Sequence, residues 1–139
     1  MRPELGAIHH VAHVVADIDA AIAELAPAWG LELEIRETLA AQAVEAAMLR
    51  SGDVRVELIR PVDDESGVAR FLATRGPGFH HVAYSVPDVA AALTALGDAG
   101  AELIDVTPRP GLGGHMVGFV HPRSCGGVLT ELVEEPSGH

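Results

Sequence analysis

Two histidine pairs and two strand-borne glutamates carry the clearest chemical potential in this sequence. His9-His10 and His80-His81 open the apolar, alternating stretches IHHVAHVV and FHHVAYSV, while Glu57 and Glu131 lie in VRVELIR and VLTELVE. Imidazole nitrogen and carboxylate oxygen together suit a first-row divalent ion such as zinc, cobalt, manganese or nickel. Side chains alternate along a strand, so only one histidine of each pair can share a face with the alanines at 12 and 83. With the second of each pair pointing inward, the candidate ligands are His10, Glu57, His81 and Glu131, and the small Ala12 and Ala83 leave space beside them. His9 and His80 then pack outward beneath helices, and a one-residue slip in register would exchange the two sets. The plainer reading of each histidine is a satisfied strand residue, and of each glutamate a solvated strand edge. A buried carboxylate, however, needs compensation that a cation supplies.

Repetition strengthens the metal reading. Shifting the first stretch forward by seventy-one positions gives ten identities over the twenty positions 9 to 28, including His9 with His80, His10 with His81, Asp17 with Asp88 and Leu25 with Leu96. The segment around Glu57 recurs more weakly around Glu131. Two long copies cannot make a solenoid, which needs at least three short stacked units. A duplicated domain instead brings equivalent residues toward a shared axis, turning one His and one Glu per copy into a set of four.

The elements that must position these residues are legible from pattern. Ile8 to Val15 reads as a strand, and Asp17 as the N-cap of a helix with Ile18, Ala21, Ile22 and Leu25 on its buried stripe, closed by Pro27 and Gly30. Strands follow at Leu31 to Arg36, Val44 to Arg50 and, after the turn Ser51-Gly52-Asp53, Val54 to Arg60. The second copy reads as strand Phe79 to Val86, a helix opened by Pro87 and Asp88, and strands Ala101 to Val106, His115 to His121 and Val128 to Glu134. The expected organisation is one domain over 1–139: a βαβββ module at 8–60, a linker at 61–78 with a short helix in VARFLATR, and a second module at 79–134. The tail PSGH is expected to fray.

Composition narrows the function. At 139 residues the chain can build one core, and its 48% hydrophobic and 21% charged content is that of a globular protein. A net charge of -11, with all nine cations arginine, argues against nucleic acid. No run approaches a membrane span and the start MRPELGAIHH lacks a signal peptide's features, so the expected location is cytoplasmic. Cys125 is the single cysteine, which excludes an internal disulfide; it reads as a turn thiol, with no base argued beside it.

The half-repeat HHVAYSVPDVAAALTALGDAGAELID, the loop PRPGLGG, the run FVHPRSCGGVLTELVE and the connection DDESGVARFLATRGPGFHH resemble the methylmalonyl-CoA epimerases of the vicinal oxygen chelate superfamily, over Ile8 to about Glu134. The resemblance implies two tandem βαβββ modules forming a curved mixed sheet around a metal cleft. It implies His10, Glu57, His81 and Glu131 as ligands, where relatives can carry glutamine in place of Glu57. It also implies two acid/base groups, Glu45 in AVEAAM and Glu131 itself, and a homodimer. Parity alone does not select Glu45, whose plainer reading is a solvent-facing strand residue.

The expected activity is therefore a metal-dependent epimerase that moves the C2 proton of methylmalonyl-CoA through an enolate. Its partner is the acyl-CoA substrate, whose phosphates Arg75, Arg109 or Arg123 could meet from loops if these are more than solvated charges. The Gly111 to Gly114 stretch is expected to be a flexible loop closing over the site. Two rivals share the fold: a glyoxalase-like lyase or isomerase acting on a thiol hemithioacetal, and a non-catalytic small-molecule-binding protein.

Overall fold

The computed structural model describes residues 2–135; the tail expected to fray, 136–139, lies outside them. Two compact units partition the chain, one over His10–His80 and the other formed by residues 2–9 with 81–135. Eight strands and three α-helices follow in the order β1 (Ile8–Val14), α1 (Ile18–Trp29), β2 (Glu32–Leu39), β3 (Val44–Ser51), β4 (Val54–Pro61), α2 (Gly67–Arg75), β5 (Gly78–Val86), α3 (Val89–Asp98), β6 (Arg109–Pro110), β7 (Met116–Val120) and β8 (Thr130–Glu134). None of the described helices is long and apolar enough to cross a membrane.

Within the unit over His10–His80 the strands run β2-β3-β4-β1, and the other unit repeats this order as β6-β7-β8-β5. In both, the first strand of the repeat pairs in parallel with the last, and the other pairings are antiparallel. The duplication therefore extends from sequence to register: Ala12 faces Glu57 across one parallel pair, and Ala83 faces Glu131 across the other.

The helices form where their caps and stripes direct. Asp17 Oδ1 accepts a hydrogen bond from the Ala20 amide at 3.0 Å and Asp88 Oδ1 one from the Ala91 amide at 3.0 Å, each satisfying a free first-turn donor. Ile18 of α1 is buried with Leu31, Ala47, Leu49 and Leu58, and Ala21, Ile22 and Leu25 pack against that cluster. Val89, Ala92 and Leu93 of α3 are buried with Val86, Val120 and Leu132. The third helix, α2, is capped by Ser66 and sends Val68 onto a cluster of Ala12, Val44 and Ile59, on the other face of the same strands.

Three expectations need correction. Pro27 does not close α1; the helix runs through it to Trp29 and ends at Gly30, whose φ of 71° is the left-handed conformation that glycine tolerates best. A proline in the last turn forfeits a single backbone bond, which the remaining turn and its packing absorb.

The strand expected at Ala101 to Val106 is reduced to one bridge, Leu103 with Val120. Asp105 Oδ2 takes the Phe119 amide at 2.8 Å, while the amides of Ile104 and Asp105 both go to the Phe119 carbonyl. A side chain has replaced a main-chain acceptor, and the ladder cannot continue.

The edge strand forms later, at Arg109–Pro110, inside the loop PRPGLGG and just before the Gly111 to Gly114 stretch expected to be flexible. The loop is the turn of a hairpin, with Arg109 paired to Val117, Pro110 to Met116, and the Gly111 amide bonded to the His115 carbonyl at 2.8 Å. Proline is acceptable there because an edge strand need not donate on its outer side.

Candidate metal centre

Strand alternation selects the inner histidine of each pair. His10, Ala12 and Val14 are buried along one face of β1, whereas Val11 and His13 on the other are half-buried. Across the parallel ladder, Ala12 is the partner of Glu57, which brings the residue two before it, His10, beside the Glu57 carboxylate: Nε2 lies 3.3 Å from Oε1. The second unit repeats the construction, with His81 Nε2 3.0 Å from Glu131 Oε1. All four side chains are buried, as are both alanines.

The rows beside the two pairs differ. Phe119, the partner of Glu131 on β7, sets its ring edge-on to His81 with centroids 5.1 Å apart. At the equivalent place beside Glu57 stands Met48.

His10 with Glu57 in one unit and His81 with Glu131 in the other each offer a nitrogen and an oxygen donor, a buried His/Glu group that could hold a metal ion. Imidazole nitrogen and carboxylate oxygen form a donor set suited to a divalent cation. Taking two carboxylates out of water is costly, and an ion there would offset that cost. The buried His/Glu group fits a metal ion; its identity is not fixed by nitrogen and oxygen donors alone.

The outer histidines differ from each other. His80 sets its ring edge-on to Phe71 of α2, at 5.2 Å between centroids, as expected for a residue beneath a helix. His9 is also buried, yet it faces polar groups: Nε2 is 3.6 Å from Glu135 Oε2 and the ring lies edge-on to His115 at 6.2 Å. The expected packing of His9 under a helix is thus replaced by a polar contact with Glu135, which follows directly on β8.

Glu45 stands apart from the four. Its cross-strand partner is Arg60, and the unbroken β3–β4 register makes Met48 the partner of Glu57. Positions 45 and 48 are an odd number apart, so Glu45 lies on the opposite face of β3, in line with Ala47 and Leu49 toward α1. Arg36 Nε donates to it at 2.8 Å and Arg60 Nε at 2.9 Å, and Arg36 also reaches Asp19 at 2.7 Å. The hydrogen bond from Arg36, then that from Arg60, holds the Glu45 carboxyl below the usual carboxylate range. The arrangement is that of a counter-ion.

The carboxylate that does share the Glu57 side is Glu37. It pairs with Ala46, between Ile35 opposite Met48 and Leu39 opposite Val44, and these three alternate residues of β2 are half-buried while Arg36 and Thr38 are exposed. Sequence alternation within ELEIRETL is visible, but which face is which depends on the register with β3.

The three arginines expected in loops are also occupied, and two of them belong to elements, Arg75 ending α2 and Arg109 lying in β6. Arg75 sits over the Phe71 ring, Arg109 over the Phe119 ring with its Nε 3.4 Å from Asp105 Oδ1, and Arg123, largely exposed, reaches Glu102 at 3.4 Å.

Comparison with known proteins decides the family. Residues 9–119 match the family model of the Glyoxalase/Bleomycin resistance protein/Dioxygenase superfamily. The chain belongs to that superfamily.

Among similar proteins, the uncharacterized protein YqjC of Bacillus subtilis is 40% identical over 109 residues, covering 78% of this chain and 77% of its own. The ethylmalonyl-CoA/methylmalonyl-CoA epimerase of Cereibacter sphaeroides is 32% identical over 130 residues, covering 92% and 97%. The crystal structure of methylmalonyl-CoA epimerase from Mycobacterium tuberculosis superposes with a TM-score of 0.91 at 34% identity, covering 99% of this chain and 93% of that one. The fold is thus the vicinal oxygen chelate fold of the superfamily, and the resemblance to methylmalonyl-CoA epimerases extends along nearly the whole chain.

Proposed function

We propose that the protein is a metal-dependent epimerase of methylmalonyl-CoA or a close 2-substituted malonyl thioester, with His10, Glu57, His81 and Glu131 as the ligands of one divalent ion. The observation that carries this reading is the buried pairing of one histidine with one glutamate in each half, in a chain whose epimerase relatives match it end to end.

When bound, the cation would supply Lewis-acid stabilisation of negative charge on the substrate's oxygens. The remaining work falls to the protein's own groups. The C2 proton is acidified by two flanking carbonyls; Glu131 accepts it, and the electron pair of the broken C–H bond moves onto the thioester oxygen to give an enolate. Return of a proton to the opposite face by a second acid completes inversion, and the two groups exchange roles with the other epimer. Burial of the Ala12 and Ala83 rows excludes water beside the pairs, which keeps electrostatic interactions there strong.

The location of Glu45 favours one alternative enough to keep it. If Glu131 has no partner, a one-base reaction remains, in which one group removes a proton and returns it to a neighbouring carbon, as a glyoxalase-like isomerase does with a hemithioacetal.

Proton NMR of methylmalonyl-CoA in heavy water separates the two. Metal-dependent loss of the C2 proton signal, together with inversion, supports the epimerase. No exchange above the uncatalysed rate, with turnover of a hemithioacetal, would replace it. The expected homodimer is read from the molar mass in light scattering.

A further inference from the structure

We propose that Glu37 on β2 is the second acid/base group of the reaction, and that Glu45 is a structural counter-ion on the opposite face. The inference rests on the epimerase reading above, and the observations behind it lie in the unit over His10–His80.

Three observations support it. Glu37 lies in the half-buried row Ile35, Glu37, Leu39, and Leu39 of that row packs with Ala12, Val44 and Ile59, the face that carries His10 and Glu57. Its cross-strand partner is the small Ala46, and the partner of Ala46 on β4 is Ile59, two residues from Glu57. Two strand spacings of about 4.8 Å and one two-residue step of about 7 Å place the Glu37 backbone roughly 12 Å from that of Glu57.

The other carboxylates of β2 do not compete. Glu32 is exposed and opposite Arg50 at the turn end of the strand, and Glu34, at the bulge, pairs with Arg50 and Arg55. Glu45 is excluded by alternation, as its two arginine bonds confirm from the far side of the sheet.

In the reaction, Glu37 as a carboxylic acid delivers its proton to C2 of the enolate on the face opposite Glu131, and the enolate's electron pair forms the new C–H bond. With the other epimer Glu37 is the base and Glu131 the acid. No oxidant or further reactant enters.

The test measures inversion and C2 hydrogen–deuterium exchange separately, in metal-loaded protein. E37Q is expected to lose inversion by about a hundredfold or more, the usual weight of one acid/base group, while exchange of the epimer deprotonated by Glu131 persists. E37D, which keeps the charge with shorter reach, recovers part of the inversion and supplies the same split should E37Q fold poorly. E45Q is expected to keep inversion within about threefold, since that face does not meet substrate. Inversion at the native rate in E37Q overturns the assignment, as does a folded E45Q that exchanges but no longer inverts. If the native protein itself neither exchanges nor inverts, the epimerase reading fails and the assignment falls with it.

Discussion

Removing the metal should lower the melting temperature by a predictable amount. The four donors come from β1, β4, β5 and β8, far apart in sequence, and all are buried. The unfolded chain has no such cluster, so binding free energy becomes folding free energy. At a free ion concentration a hundred times the dissociation constant the gain is about 2.7 kcal/mol. For a domain of this length each kcal/mol moves the melting temperature by roughly 3–5 °C, giving an expected shift of about 8–13 °C.

The assay is differential scanning calorimetry of chelated protein, then of protein loaded in turn with zinc, cobalt, manganese and nickel. H10A is the control: it withdraws one donor from the cluster, so most of the metal-dependent shift should disappear while the chelated protein still melts cooperatively. Identical melting temperatures with and without every ion would refute the claim that these residues form a cation site. A full shift retained in H10A would refute the assignment of that ligand.

Three further outcomes follow from single contacts. In G118A the new Cβ would lie 2.8 Å from Leu93 Cδ1 and 3.3 Å from Val89 Cγ1, so the buried Leu93 side chain or the helix that carries it must shift; chemical denaturation should show a loss of about 1–3 kcal/mol. Because Glu45 has a depressed pKa, its contribution is present above the pKa of the unfolded carboxyl and is lost as pH falls through its lower folded value. The stability of E45Q should therefore lie below that of the native protein in urea titrations at neutral pH, and the gap should close on acidification through the carboxylate range. D17A removes the cap of α1 and is expected to cost about 1 kcal/mol by the same measurement, with metal binding unaffected.

Much of the protein was legible because it depends on local rules. Alternation placed His10 on the buried face of β1 with Ala12 and Val14 and identified His81 as the buried member of its pair, although His9 is buried as well, and recurrence of the stretch located Glu57 and Glu131 on equivalent strands. Helix caps at Asp17 and Asp88 follow from side chains acting three residues away, and the structure has both. Where an element's fate depends on a distant partner, the sequence was insufficient. Ala101 to Val106 has the composition of a strand, but the Asp105 carboxylate takes the very amide that a ladder would have used.

The sequence by itself determined the duplication, the βαβββ order and the placing of one histidine and one glutamate on equivalent strands of each half, since repeats, period-two burial and capping need no knowledge of what lies across the sheet. Only the tertiary structure decided which glutamate of the first module faces the His10 and Glu57 side. That choice is made by the register of β2 on β3 and β3 on β4, where a shift of one residue turns every side chain to the other face. In the register observed, Glu45 is turned to Arg36 and Arg60, and Glu37 joins Glu57.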